Sequence, residues 1–263
     1  MNIITCIKQV PASSNVEVDP ITGVLIRDGS NVKMNPFDLY ALEFAFRIKE
    51  LSDNSLISTI TMGPPQAKKA LLEALHMGAD NAYLLSDRSF AGADCLATSY
   101  ALSQMVRRIG KFDLIICGKQ TTDGDTAQVG PEIAEFLKIP HVSYASHITK
   151  MTDKSITVIC HYDEYDEEIE LDFPALITVD KADFAPRLPS FKRKKQFSDY
   201  QIKTFTLNDM EDKEKNNYGL NGSPTQVEEI FPPNKKKDSK LIKGDFKDLA
   251  EEFVEILTKN KFI

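Results

Sequence analysis

The sequence predicts an α/β fold: a parallel sheet covered by helices on both faces, with antiparallel additions and an extended C-terminal arm. Three observations carry this. Short apolar, β-branched runs at residues 2–7, 56–62, 81–85 and 113–117 alternate with amphipathic stretches of helical period. Alternation at this spacing favours crossover connections between parallel strands. A glycine-rich polar turn at residues 118–130 leaves the fourth run and enters a helix. Past Pro140 the pattern changes to alternation with charge, as in antiparallel ribbons with one wet face.

In chain order, residues 2–7 read as a strand buried on both faces. Residues 16–19 and 24–27 alternate around Pro20-Ile21-Thr22-Gly23, which predicts a hairpin. Asn35 fits an N-cap, Pro36 the first helical position and Asp38 the first turn of a helix ending near Leu51. Its inward residues are expected to be Phe37, Leu39, Leu42 and Phe46. Gly63-Pro64-Pro65 turns the second strand into a helix carrying Ala67, Leu71, Leu72 and Leu75, stopped by Gly78. The third strand leads to a helix over residues 95–109, closed by Gly110. Ribbons are expected at residues 142–148, 156–161 and 168–171, and a last strand at 175–179. From Pro186 the core signal fades. The basic run Lys192-Arg193-Lys194-Lys195 reads as solvated surface, and residues 245–257 as one amphipathic helix. The organisation expected is a core of residues 1–185 and an arm, 186–263, with too little core of its own to hold its conformation alone.

Ligands of open parallel sheets lie at the carboxyl ends of the strands, where the strand order reverses. Cys6, Lys8, Met62 and the turn Gly118-Lys119-Gln120-Thr121-Thr122-Asp123-Gly124-Asp125-Thr126-Ala127-Gln128-Val129 are expected to meet there. The turn has the form of an anion cradle: glycine admits close approach, and the next helix offers free N–H groups. It is neither a Walker loop nor Gly-x-Gly-x-x-Gly. Asp123 and Asp125 would repel a bare phosphate, so they are expected to cap backbone N–H groups or meet ribose hydroxyls. A tight surface turn with an Asx cap fits the same spacing. Gly124 is expected to turn the backbone through positive φ. Lys8 and Lys119 either pair with a phosphate or lie solvated, and Met62 fits packing as readily as a cofactor contact.

The chain carries 32 basic and 39 acidic residues, a net charge of −7, which argues against nucleic acid or an anionic membrane as main partner. No apolar run approaches the ~20 residues that span a bilayer. The N-terminus lacks signal-peptide or transit-peptide character, so a cytoplasmic, prokaryotic protein is expected. Four separated cysteines and four histidines form no ligand spacing, so no metal is expected. No nucleophile or general-acid set is apparent, so any redox chemistry must come from a cofactor.

Cys6-Ile7-Lys8-Gln9-Val10, Met34-Asn35-Pro36-Phe37, Met62-Gly63-Pro64, His76-Met77-Gly78-Ala79-Asp80, Gly118-Lys119-Gln120, Pro186-Arg187 and Gly222-Ser223-Pro224-Thr225 resemble landmarks of electron-transfer flavoprotein β subunits across nearly the whole chain. The resemblance implies an adenine-nucleotide α-hydrolase-like (Rossmann-type) fold without hydrolase activity, paired with a larger α subunit that carries a redox FAD. It implies nucleotide contacts at Cys6, Asn35, Pro36, Phe37, Asp38, Met62 and residues 118–129. Family members hold either structural AMP or, in electron-bifurcating forms, a second FAD reduced by NADH. Asp123-Gly124-Asp125-Thr126-Ala127-Gln128-Val129-Gly130-Pro131 is similar to the bifurcating form, with little side-chain bulk at Gly124 and Ala127. That form implies ferredoxin or flavodoxin as one acceptor and a partner flavin dehydrogenase as the other. Leu188-Pro189 resembles a partner-docking leucine, but follows Arg187 without the usual intervening residues. Both an acyl-CoA dehydrogenase and an FAD-dependent 2-hydroxyacid dehydrogenase therefore stand as partners. The other readings are a non-bifurcating shuttle with AMP and a stand-alone nucleotide-binding module.

Overall fold

Strands and helices alternate through the first half of the computed structural model, which describes residues 1–12, 31–52, 54–228 and 241–263. The hairpin expected at residues 16–27 lies outside the described residues. Flanking it, β2 (Gln9–Pro11) and β3 (Val32–Met34) form an antiparallel pair.

The main sheet is built on β1 (Asn2–Cys6), β4 (Leu56–Met62), β5 (Asn81–Leu85), β6 (Leu114–Gly118) and β10 (Ala175–Val179). Their side chains are mostly buried on both sides, as the continuous apolar runs require. β7 (His141–Met151), β8 (Ser155–His161) and β9 (Asp166–Asp172) extend it, and β11 (Lys203–Phe205) closes the other edge. The order is β11-β5-β4-β1-β6-β10-β7-β8-β9, parallel through β7 and antiparallel beyond it. Strand order reverses at β1, which pairs β4 on one side and β6 on the other. The crevice a ligand uses in such sheets therefore opens between the carboxyl ends of β1 and β6.

Helices cover both faces. α1 (Pro36–Leu51) and α2 (Lys68–Met77) bury Leu42, Phe44, Leu71 and Leu75 in one layer. α3 (Cys95–Ile109) and α4 (Val129–Leu137) bury Met105, Val106, Ile133 and Ala134 in the other. Of the residues expected inward on α1, Leu42 and Phe46 are buried, whereas Phe37 and Leu39 are only half-buried. Phe44 and Ile48 are fully buried. Gly78 ends α2 at φ 155° and donates its N–H to Ala74 O at 3.1 Å.

The boundary expected after residue 185 does not coincide with a structural one, because the first compact unit runs from Met1 to Glu228. β11 pairs in parallel with β5, and Phe205, Leu207, Met210 and Tyr218 are buried in the α3/α4 layer. The Tyr218 ring lies 5.4 Å from Phe90 and 5.3 Å from Tyr100, and its hydroxyl donates to Asp212 O at 2.7 Å. Ser223 and Thr225 fasten onto Asp94, the N-cap of α3: Asp94 N donates to Ser223 Oγ at 2.8 Å, and Thr225 Oγ1 to Asp94 Oδ2 at 2.8 Å. The basic run sits on α5 (Phe191–Gln196). Arg193 is not simply solvated there: its Nε donates to Leu75 O at 2.7 Å and its Nη2 to Ala79 O, closing the end of α2. The second unit, Glu229–Ile263, contains α6 (Phe246–Lys259), none of whose residues is buried.

This division makes a prediction about truncation. A chain ending at Glu228 should unfold cooperatively at nearly the full-length urea midpoint. A chain ending at Lys195 loses β11 and the buried Ile202, Phe205, Leu207, Met210 and Tyr218, at ~1.5–3 kcal/mol each, a loss on the scale of a domain's whole stability. It should be unfolded or aggregated by circular dichroism and light scattering.

Candidate functional site

Three segments converge where β1 and β6 end: residues 6–8, the start of α1 at 35–38, and the turn after Gly118. Gly118 makes the convergence possible. A Cβ there would lie 2.3 Å from Asp38 Oδ1 and 2.8 Å from the Phe37 carbonyl carbon, so only glycine admits this approach.

Asp38 is buried at the junction. Its Oδ2 accepts Lys8 N–H at 2.7 Å and its Oδ1 accepts Asn35 Nδ2 at 2.9 Å. Burial pushes its carboxyl up to about 7, although Asn35, the Lys8 and Gly118 N–H groups and the Lys8 charge all pull it down. Asn35 occupies the expected N-cap position of α1, but its side chain makes no capping bond. Its Nδ2 also donates to Gln120 O at 2.8 Å, and its Oδ1 accepts Thr122 N–H at 3.2 Å. Asn35 therefore ties the helix start to the turn.

The charged side chains of the turn are matched within the protein. Lys8 Nζ meets Asp123 Oδ1 at 2.8 Å. Partial burial pushes the Asp123 carboxyl up, but the Lys8 ammonium and Thr121 outweigh it and hold it below the usual carboxylate range. Lys119 Nζ meets Asp180 Oδ2 at 2.8 Å and lies 4.7 Å from the centre of the Tyr144 ring. The Gln120 amide donates to Asp125, whose N–H returns to Thr121 O at 2.8 Å. Neither lysine is simply solvated, and neither aspartate caps the first turn of α4.

Positive φ falls at Asp125 (57°) and Ala127 (56°), not at Gly124. Gly124 instead supplies room, since a Cβ there would meet only Thr121 Oγ1, at 3.2 Å. Residues 122–126 are exposed. Gln128 makes no side-chain cap on α4, so the first-turn N–H groups of that helix have no side-chain acceptor there. Gly130 presses on β10, where a Cβ would lie 2.5 Å from Thr178 Cγ2. With Thr122 N–H on Asn35 and Asp125 N–H on Thr121 O, the donors left in this exposed segment are the Gly124 and Thr126 N–H groups and the uncapped helix start, with the acidic side chains turned to internal partners. That chemistry fits a nucleotide phosphate.

Cys6 and Cys117 are register partners on β1 and β6, both buried. Contact with Cys6, burial and the nearby Asp38 push the Cys117 thiol up. Met62 is half-buried against the α3/α4 layer. Pro36 and Phe37 are half-buried at the start of α1. Sequence reasoning missed Cys95, the first residue of α3, whose Sγ donates to Thr126 Oγ1 at 3.1 Å. It also missed Glu43 in mid-helix, which accepts Arg187 Nε at 2.8 Å and Nη2 at 2.9 Å. Both pairings are long-range and leave no local signal. Leu188, next to Arg187, is 86% exposed, and Phe191 is 81% exposed. Among the described residues no His/Cys/Asp/Glu group could hold a metal, and no helix is long and apolar enough to cross a membrane.

Two predictions follow from the backbone and the buried acid. Gly118→Ala should cost ~1–3 kcal/mol by overpacking against Asp38 and α1. Ala127→Gly should stabilise by up to ~1 kcal/mol by relieving a left-handed residue, while Gly124→Ala should be near neutral in the same denaturant titration. The folded carboxyl of Asp38, at about 7, lies above its ordinary 3.8. Its proton therefore stabilises the fold fully below that lower value, and the contribution is lost as pH rises through about 7. Lowering pH from 8.5 to 6 should raise wild-type stability relative to Asp38→Asn, which has no such titration.

The electron transfer flavoprotein domain model matches residues 22–209. The electron transfer flavoprotein subunit beta of Thermoanaerobacterium thermosaccharolyticum is 44% identical over 264 residues, covering 100% of both chains. The subunit of the same name from Clostridium acetobutylicum is 40% identical over 263 residues, also covering 100% of both. The caffeyl-CoA reductase-Etf complex subunit CarD of Acetobacterium woodii is 43% identical over 246 residues, covering 93% of this chain and 92% of its own. With the model spanning most of the chain and relatives aligned end to end, the protein belongs to the electron transfer flavoprotein family, as a β subunit serving electron transfer.

Proposed function

We propose that this β subunit holds FAD at the junction of β1, α1 and the turn after β6, as the NADH-reducible site of an electron-bifurcating flavoprotein. The observation that carries the reading is the exposed segment of residues 122–126, with its Gly124 and Thr126 N–H groups, leading into the uncapped start of α4. The Gly124 and Thr126 N–H groups and the α4 first turn bind the phosphates, and Cys6, Met62 and residues 35–38 border the adenosine. Lys8 and Asn35 orient the turn through Asp123, Gln120 and Thr122. When bound, FAD would supply the conversion of the electron pair of one hydride from NADH into two single electrons. No side chain acts as nucleophile or general acid. The small residues Gly124 and Ala127, and the likeness of residues 123–127 to the bifurcating form, support FAD.

One observation fits AMP equally. Both lysines at the site are already ion-paired, so main-chain N–H groups face the phosphate charge, a setting suited to one phosphate as well as two. The partners proposed are an α subunit, met by the arm and the apolar residues of α6 (Phe246, Phe253), ferredoxin or flavodoxin, and a flavin dehydrogenase of acyl-CoA or 2-hydroxyacid type. Arg187 is clamped on Glu43 and Glu50, and Ser190 N–H on His76 O at 2.9 Å, while Leu188 between them points outward. That geometry supports a docking anchor for the dehydrogenase.

The α and β chains should be co-purified, denatured, and their released nucleotides counted. Two FAD per heterodimer are expected; one FAD with one AMP selects the shuttle, and failure to co-purify with any α chain returns the stand-alone module. Leu188→Ala should weaken dehydrogenase binding by ~2 kcal/mol or more, as an interface anchor does. It should leave stability within ~0.5 kcal/mol and NADH oxidation by a dye unchanged. Equal loss of both rates would remove the docking role.

A further inference from the structure

We propose that Asp38 is a positioning residue for the nucleotide turn: its carboxylate accepts the amide hydrogen of Asn35 that the turn does not use, and so fixes the amide that holds residues 120–122. This rests on the nucleotide reading above, but its geometry is independent of any ligand.

A primary amide has donors on one side and an acceptor on the other. Asn35 is fully buried, and each of these groups has a partner. Its Nδ2 faces two oxygens, Asp38 Oδ1 at 2.9 Å and Gln120 O at 2.8 Å, and its Oδ1 faces Thr122 N–H at 3.2 Å. The reverse orientation would set oxygen against two oxygens and donor against donor. The arrangement therefore requires Asp38 to be an acceptor.

Both Asp38 oxygens face N–H donors, so a proton on either one displaces a partner. A proton on Oδ1 opposes the Asn35 amide, which carries Gln120 and Thr122. A proton on Oδ2 opposes Lys8 N–H, and the Lys8 side chain carries Asp123 at 2.8 Å. Both routes end on the same turn. Adding one proton to the carboxylate thus exchanges an acceptor for a donor at the hinge of the loop, with no bond broken elsewhere. The charged and titratable groups around Asp38 are the Lys8 ammonium with its Asp123 partner on the loop side, and the Cys6 and Cys117 thiols on the strand ends. Burial, working against the N–H groups that pull the other way, brings the Asp38 carboxyl to about 7, so the exchange falls in an accessible range. Cys117 is pushed up and stays protonated there. This loosening runs opposite to global stability, which the same proton increases. A purely structural role for Asp38 moves both in one direction.

The test uses the αβ heterodimer with its bound nucleotide, as wild type, Asp38→Asn and Asn35→Ala, between pH 6 and 8.5. Two readouts are taken: nucleotide dissociation rate, and hydrogen exchange of the peptide containing Thr122, corrected for intrinsic pH dependence. In wild type, dissociation should speed about tenfold on acidification, the equivalent of one or two lost neutral hydrogen bonds, with matching loss of Thr122 protection. Asp38→Asn, which fixes a donor at the carboxyl position, should be fast at both pH values, with no drop in thermal midpoint at pH 8.5. Asn35→Ala should be fast and flat as well. Equal rates and equal Thr122 protection in wild type and Asp38→Asn overturn the proposal, as does a full pH dependence surviving in Asp38→Asn. If Asp38→Asn does not fold, a flat wild-type profile overturns it. A heterodimer that binds neither FAD nor AMP sinks the nucleotide reading alone, because hydrogen exchange still decides the role of Asp38.

Discussion

The missing Cβ at Gly118 is the constraint on which the site depends. It lets the first turn of α1 rest directly on the end of β6, with Asp38 against the backbone there. Asp38 then reaches Lys8 N–H at the end of β1, and Asn35 reaches over to Gln120 and Thr122. Two parallel strands and a helix start are locked together by one carboxylate and one amide. Burying that carboxylate is unfavourable by itself. It is tolerated because each of its oxygens meets N–H donors and because the switch point of the sheet brings those donors to one place. Moving the α1 start outward by the breadth of a methyl group would separate Asp38 from both strands.

The turn itself is shaped by charge but does not offer charge. Lys8 and Asp123, and Lys119 and Asp180, form partly exposed pairs of the sort that add little to stability. Their effect is geometric. Asp125 and Ala127 hold left-handed backbone, which costs ~1–2 kcal/mol per residue for anything but glycine. The Gln120–Asp125 contact and the Asp125 N–H to Thr121 bond hold one of those residues in place. The Gly124 and Thr126 N–H groups remain in this exposed segment, and main-chain N–H groups recognise an anion without the desolvation penalty of a buried lysine.

Much of the fold was legible because its signals are local. Continuous apolar runs marked β1, β4, β5, β6 and β10, the change to alternation marked β7 to β9, and Pro36, Gly78 and Gly110 marked helix ends. The arm was misjudged because β11 is three residues long and its pairing with β5 crosses more than a hundred residues. Phe205, Leu207, Met210 and Tyr218 are spaced too irregularly to show a period, yet all four are buried. The convergence of residues 6–8 and the turn after β6 at the carboxyl ends of the strands was legible too, from the glycine-rich turn that follows a buried strand. Their bonding was not. Asn35 reads as an N-cap by type and place, and nothing in its neighbourhood reveals that its amide is taken by a turn 85 residues away. Positive φ was expected at Gly124 because glycine permits it, whereas Asp125 and Ala127 adopt it because surrounding contacts impose it.

The segment around Leu188 is fixed from both sides, as is the turn after β6. Arg187 is fixed by a two-pronged pair to Glu43, whose carboxyl burial pushes up but the arginine holds down, and by a second bond to Glu50. Ser190 and Arg193 fasten the other side to the end of α2. Leu188 is the unfastened residue between two anchors. A leucine on a free loop loses backbone and side-chain freedom when it docks, at ~1–2 kcal/mol for each residue ordered. Here that ordering is already made by ion pairs on α1 and hydrogen bonds to the carbonyls of α2, so the backbone needs little further ordering to meet a pocket. The shortness of the segment after Arg187 then has a physical reading: the anchors fix the position of the leucine, and a longer connection would add reach only by giving up that fixity.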